Sequence, residues 1–190
     1  MKFVWLALAL MASGAQAGFF SSNDPLLLDD QRLQASFDAW DGLIPTDAYD
    51  WVPDNPSTEL ILSDDFQRQL EAAGTRLNDR QHGTAIGLGG FMVPIDVEGQ
   101  NVLTFLLVPE AGQCVHVPPP PINQTILVDA SLNPLPLRDL YQPIWVQGTL
   151  NVSRGETDLA EYGYLLVDPR VRDLEIPDYD PALVPRHSGD

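Results

Sequence analysis

Proline placement is the strongest constraint on what this chain can become. All 17 prolines of the 190-residue sequence lie beyond residue 17, and they interrupt most stretches that could otherwise build long helices. A proline inside a helix removes a backbone hydrogen bond and clashes with the preceding turn, at a cost of about 3 kcal/mol or more. Turns and strand edges accept the same residue. The chain therefore reads as mainly β, with helices confined to its N-terminal part, and a helical bundle is excluded.

Residues 18–83 read as that helical, proline-rich N-terminal segment. Asp24-Pro25 combines an N-cap with proline at the first helical position, and Leu26, Leu27, Leu33, Phe37 and Trp40 form an apolar stripe that Gly42 ends. Pro45, Pro53 and Pro56 make the next stretch irregular. A second helix is predicted from Ser63 or Asp64, with Phe66, Leu70, Ala73 and Leu77 at helical spacing and Asp64 with Gln67 as a capping box. Both helices read as structural cover.

At Thr84 the periodicity changes to that of strands. Ile86, Leu88, Phe91, Val93 and Ile95 alternate around Gly89-Gly90, a pair that predicts a bulge or sharp bend. A hairpin turn at Glu98–Asn101 leads into a returning strand over Val102–Val108. A third strand is predicted for Gln124–Asp129, a short helical or irregular connection for Leu135–Tyr141, and two more strands for Ile144–Val152 and Tyr162–Val167. Five strands with a bent first member over residues 84–168 describe a small OB-like barrel. An SH3-like barrel or an open β-sandwich fits the same strand count. Residues 169–190 read as an acidic, proline-rich, loosely ordered tail.

The N-terminus carries the three parts of an export signal: Lys2, an apolar run over Phe3–Ala12, and Ala15-Gln16-Ala17 as the cleavage site. Residues 1–17 are thus expected to be removed and the protein to be periplasmic or secreted. The run is too short to span a bilayer, and no later stretch is long enough to do so. Lys2 is the only lysine, so beyond it nine arginines face 27 acidic residues. Schiff-base chemistry, pyridoxal cofactors and a Walker A loop all need a lysine, and the mature chain has none. The net charge of −17 excludes nucleic acid as a partner, since that affinity rests on basic contacts to phosphate. The acidity itself reads as a solvated coat.

Chemistry concentrates in the segment Gln113–Gln124. Cys114 is the only cysteine, so no internal disulfide is possible. His116 stands two residues on, and alternate residues of an extended segment share a face. Pro118, Pro119, Pro120 and Pro121 impose a stiff polyproline II rod, after which Asn123 and Gln124 supply amides.

Several blocks together carry a resemblance: Trp40–Pro45, Gly90–Asp96, Phe105–Pro109, Cys114–Gln124 and Trp145–Leu150. In these blocks the chain resembles the DUF3299 family of exported bacterial proteins of unknown function, over roughly Phe37–Val167. It departs from the family pattern in the glycine-rich run Gly83–Gly90 and in Glu110-Ala111-Gly112, which stands where an aromatic is usual. The resemblance implies an exported accessory protein, with envelope transport and zinc handling as its expected context.

The segment supports three functional readings. In the first, Cys114 and His116 are ligands for Zn²⁺ or Cu⁺, completed by His82 or Glu110, in a non-enzymatic accessory protein of an envelope transport complex. In the second, Cys114 is a small buried hydrophobe, and the loop with Pro118–Pro121, Asn123 and Gln124 is a docking element for a protein partner. In the third, Cys114 and His116 act as nucleophile and base. Side chains two apart on one strand start about 6–7 Å from each other, which is loose for that contact.

Overall fold

The structure is a computed structural model that describes residues 26–27, 30–114 and 119–175. A two-residue strand β1 (Leu26–Leu27) precedes helix α1 (Asp30–Asp38), which tightens into a 3₁₀ turn over Ala39–Leu43. Helices α2 (Thr58–Ile61) and α3 (Asp64–Gly74) follow, then a 3₁₀ turn at Asp79–Gln81. The strands are β2 (Thr84–Glu98), β3 (Asn101–Val108), β4 (Ile126–Asp129), β5 (Leu135–Pro136), β6 (Pro143–Glu156) and β7 (Glu161–Glu175).

Pairing joins five of these strands into a ring. β2 pairs antiparallel with β3, β3 with β4, and β6 with both β7 and β2, while β4 and β7 run parallel. β1 adds parallel to the end of β7, and β5 adds to the start of β3. The ring closes because β2 is long enough to serve two neighbours. Thr84–Phe91 pairs with β6 and Phe91–Glu98 with β3, so Phe91 stands opposite both Pro143 and Val108.

Both faces are buried along Leu88–Val93 of β2 and Phe105–Val108 of β3, which is why the apolar residues there run on without a polar alternate. Along β3, Phe105 and Leu107 join the main cluster with Leu88, Met92 and Tyr164, whereas Leu106 and Val108 join a second cluster with Phe91 and Val93. Trp40 and Leu43 belong to the main cluster. The Trp40 indole N–H donates to the Gly89 carbonyl at 2.7 Å, so the N-terminal segment is fastened to β2 by a buried hydrogen bond as well as by apolar contact.

The glycine pair works differently from the sequence expectation. Register runs without a break through Gly89↔Trp145 and Gly90↔Ile144, and the irregularities of β2 fall instead between Pro94 and Val97. What the glycines provide is clearance. A Cβ on Gly89 would stand 2.6 Å from Ser36 Oγ, and one on Gly90 2.7 Å from the Val108 carbonyl oxygen. Their missing side chains let α1 and β3 approach β2.

Other boundaries move for identifiable reasons. Leu26 and Leu27 are strand rather than helix, because the open end of β7 offers them a partner, and α1 starts only at Asp30. Their side chains and that of Leu33 lie outside the description. The cap of α3 is Ser63, whose hydroxyl accepts from the Phe66 N–H at 3.3 Å. Gln67 reaches back to the Ile61 carbonyl, so no Asp64–Gln67 box forms. α3 ends at Gly74, short of Leu77. Gln124 belongs to a 3₁₀ turn, so the third ring strand starts at Ile126. β5 makes a brief strand inside the connection expected to be irregular. β7 continues through Pro169 to Glu175, into the stretch expected to be loosely ordered tail, because β6 pairs with it as far as Asp173. Residues 176–190 and the export segment lie outside the described residues.

Candidate functional site

The loop after β3 sets the position of Cys114. Glu110 donates its backbone N–H to Gln113 Oε1 at 3.1 Å, and Gly112 and Cys114 adopt left-handed φ values of 79° and 65°. That conformation costs a side-chain-bearing residue about 1–2 kcal/mol, which Cys114 offsets by packing against the second apolar cluster. The thiol is half-buried, and this burial pushes its pKa above the ordinary thiol value. It is held as a neutral, apolar contact.

The other expected ligands do not gather around it. His116 and Pro118 lie outside the described residues. His82 caps the turn before β2, and its Nδ1 accepts the Val152 N–H at 3.2 Å. Glu110 is exposed. Among the described residues, no three His, Cys, Asp or Glu side chains come close enough together to hold a metal ion.

The proline rod is anchored at its C-terminal end, around Pro121. Pro121 has φ −55° and ψ 151°, the polyproline II geometry that the sequence implies. Proline has no N–H to donate, so neighbours must hold the rod through its carbonyls. The Thr125 hydroxyl donates to the Pro121 carbonyl at 3.1 Å, and the Gln124 N–H donates to the same oxygen at 2.8 Å. Asn123 is fully buried and its Nδ2 donates to the Ala73 carbonyl at 3.2 Å, tying the rod to the end of α3; its Oδ1 has no partner among the described residues. Gly74 makes the approach possible, since a Cβ there would lie 2.8 Å from Pro121 Cβ. Of the two amides expected to serve a ligand, Asn123 is thus a fastener. Gln124 contributes its backbone N–H.

Between rod and helix lies an apolar cavity of about 350 Å³. Pro119, Pro120, Pro121 and Ile122 form one wall, Leu70, Glu71 and Gly74 of α3 the other, and Glu161 stands at the start of β7. A second recess of about 270 Å³ continues past Ile122 and Glu161 to Arg154, Glu156 and Tyr162, around the β6–β7 turn. Together they make one groove with a stiff apolar wall and a carboxylate-rich rim. Neither Glu71 nor Glu161 forms an ion pair with another described residue.

Sequence reasoning found the proline wall and missed the rest. Leu70 sits in the stripe of α3 together with Phe66 and Ala73. Those two are buried, while Leu70 stays 37% exposed and faces the groove. Its spacing carries no mark of that difference. Glu161 and Tyr162 reach the groove only through ring closure, which no local pattern encodes.

The profile of DUF3299, described as a protein of unknown function, matches residues 40–173. A crystal structure of a DUF3299 family protein from Pseudomonas aeruginosa PAO1 superposes with a TM-score of 0.54 at 30% sequence identity. The match covers 81% of this chain and 99% of that one. No functionally curated protein matches the chain. The matched span begins at Trp40, the residue that fastens the N-terminal segment to β2, and ends at Asp173, the last β7 residue but two. With that span and that neighbour, the chain belongs to the DUF3299 family.

Proposed function

We propose that this chain is a non-enzymatic binding module of the cell envelope, and that its working surface is the groove between α3 and the Pro119–Ile122 wall. One observation carries the reading. The wall is locked in advance by Asn123, Thr125 and the Gly74 contact, so a ligand entering the cavity meets a preorganised apolar surface. Preorganisation removes the ordering cost that weakens binding to loose loops.

The strand order supports an OB-like reading of the ring: β2, β3, β4, β7, β6 in sequence around it, with β4 and β7 parallel. OB folds bind ligands beside the turn between their fourth and fifth strands, and the groove here reaches that β6–β7 turn. Export rests on the three-part signal in residues 1–17, and places the module in the periplasm or outside the cell.

The Zn²⁺ or Cu⁺ reading of Cys114 and His116 has less support. A metal would have to displace the proton from a thiol whose apolar surroundings favour the neutral form. The same environment weighs against Cys114 as a nucleophile. In this proposal the loop is structural, as the docking reading requires.

A selection from random displayed heptapeptides on the immobilised full chain tests the proposal, with metal titration as its second arm. Selected peptides are expected to lose binding to Leu70→Glu and Ile122→Glu and to keep it with Cys114→Ser. Zn²⁺ and Cu⁺ are expected to bind wild type, Cys114→Ser and His116→Ala alike. Peptides indifferent to both groove substitutions, or stoichiometric metal binding abolished by Cys114→Ser, overturn it.

A further inference from the structure

The groove is apolar along one wall and negative around its rim, and this combination selects its ligand. On the basis of the groove as binding surface, we infer that its occupant is an extended segment of a partner protein in which an apolar side chain is followed closely by Arg or Lys. The apolar side chain fills the cavity between Leu70 and the proline wall, and the cation lies across Ile122 between Glu71 and Glu161.

Three features converge on a cation. Glu71 and Glu161 line the same cavity without an ion pair to any described residue. Helix α3 ends beside them, and the Arg154 guanidinium at the Thr75 carbonyl already meets the partial negative charge of that end. Glu156 adds a third carboxylate in the adjoining recess. Arg154 is the cation lining that recess, and its guanidinium is engaged by the Thr75 carbonyl just past α3. Three carboxylates thus face one arginine, which leaves the groove with an excess of negative charge. The overall charge of −17 has the same sign and draws basic segments from a distance.

Two features converge on an extended peptide. The cavity and the recess adjoin, sharing Ile122 and Glu161 in their linings, and both are open to the surface, so together they offer an elongated site rather than a closed pocket. The exposed rings of Pro119 and Pro121 offer an apolar surface with no N–H groups that would have to be satisfied. Such a wall takes a side chain of varied shape, and the fixed carboxylates select a basic residue next to it.

The heptapeptide selection decides this separately from the groove reading. Selected sequences are expected to carry Arg or Lys within two residues of a Leu, Met or aromatic residue. Their synthetic versions are expected to bind Glu71→Gln/Glu161→Gln about fivefold more weakly than wild type, and to weaken further as salt rises. Both glutamates are exposed, so circular dichroism and the melting temperature should be unchanged in that variant. Peptides that need Leu70 and Ile122 but lack basic residues, or that ignore the double variant, overturn the ligand assignment and leave the groove standing. A selection that returns no groove-dependent peptide overturns both.

Discussion

The hydroxyl of Tyr164 donates to the carbonyl of Leu43 at 2.5 Å, across 121 residues of chain. The same oxygen accepts the Asn78 N–H at 2.8 Å. Both bonds join the N-terminal segment to β7 from inside the apolar core, where Tyr164 and Leu43 are fully buried. Tyr164→Phe removes both at nearly constant shape and strands a buried carbonyl. The expected loss is about 1–3 kcal/mol, read as a lower urea midpoint at unchanged slope. An unchanged midpoint would show that the hydroxyl contributes nothing to stability.

The same residue sets a pH dependence. Burial pushes the Tyr164 phenol above its ordinary value, against the hydrogen bond from Asn78, and the Asp79 carboxylate adds to the rise. A folded value above the unfolded one means that the stability from the neutral phenol is complete below about pH 10, the ordinary tyrosine value. It is lost as pH rises through the folded value. Wild type should therefore lose its advantage over Tyr164→Phe on alkaline titration, with the two unfolding curves converging above about pH 10. A gap that widens there would contradict the sign.

Gly89 and Ser36 make a second pair whose closeness can be tested. Gly89→Ala places a Cβ 2.6 Å from Ser36 Oγ and 3.2 Å from the Phe37 ring. Ser36 is buried and α1 cannot yield without lifting Trp40 from the Gly89 carbonyl. Overpacking of this kind costs about 1–3 kcal/mol. Ser36→Ala removes the nearest atom, so the double variant should recover part of the loss, a coupling that two independent sites would not show. Strict additivity in thermal unfolding would mean that α1 does not rest on β2 as described.

How much of the molecule is legible in its sequence depends on whether the cause is local. Strand signals locate the ring strands, since the apolar runs along Phe91–Ile95 and Val102–Val108 reflect burial that each strand carries itself. The glycine pair misleads because a bulge and a close helix call for the same residue, and only the position of Ser36 tells them apart. The proline wall announces itself through composition. Its opposite wall does not, because Leu70 reads as one more residue of the apolar stripe and Glu71 as an ordinary exposed position until Pro121 is docked at Gly74.

Cys114 should behave as a half-buried thiol without activation. Its pKa is raised by burial, so it reacts through a thiolate that is scarce at neutral pH. Alkylation by iodoacetamide should be slow at pH 7.5, quicken only above the ordinary thiol value of about 8.5, and speed up on unfolding in urea. The sign for stability matches. The contribution of the neutral thiol is complete below about pH 8.5 and is lost as pH climbs through the raised folded value. Rapid alkylation of the folded chain at pH 6 would mark an activated thiolate and reopen the catalytic and metal readings.

Gly74 sets two effects against each other, and their sizes decide the outcome. As the last residue of α3, it costs the helix at most about 1 kcal/mol relative to alanine, the value for a helix interior, so Gly74→Ala should stabilise slightly on propensity alone. The new methyl, however, would lie 2.8 Å from Pro121 Cβ, a ring atom whose backbone carbonyl is held by Thr125 and Gln124. Such a contact costs about 1–3 kcal/mol when neither side can give way. Overpacking should win, so that Gly74→Ala melts lower than wild type and Gly74→Val lower still. Asn123→Ala cuts the amide link to Ala73 and should free the rod to move away from the helix. Combining it with Gly74→Ala should therefore cost less than the sum of the two. A Gly74→Ala variant that melts above wild type would mean that the rod is not pressed against α3, and the preorganised wall on which the binding proposal rests would fall with it.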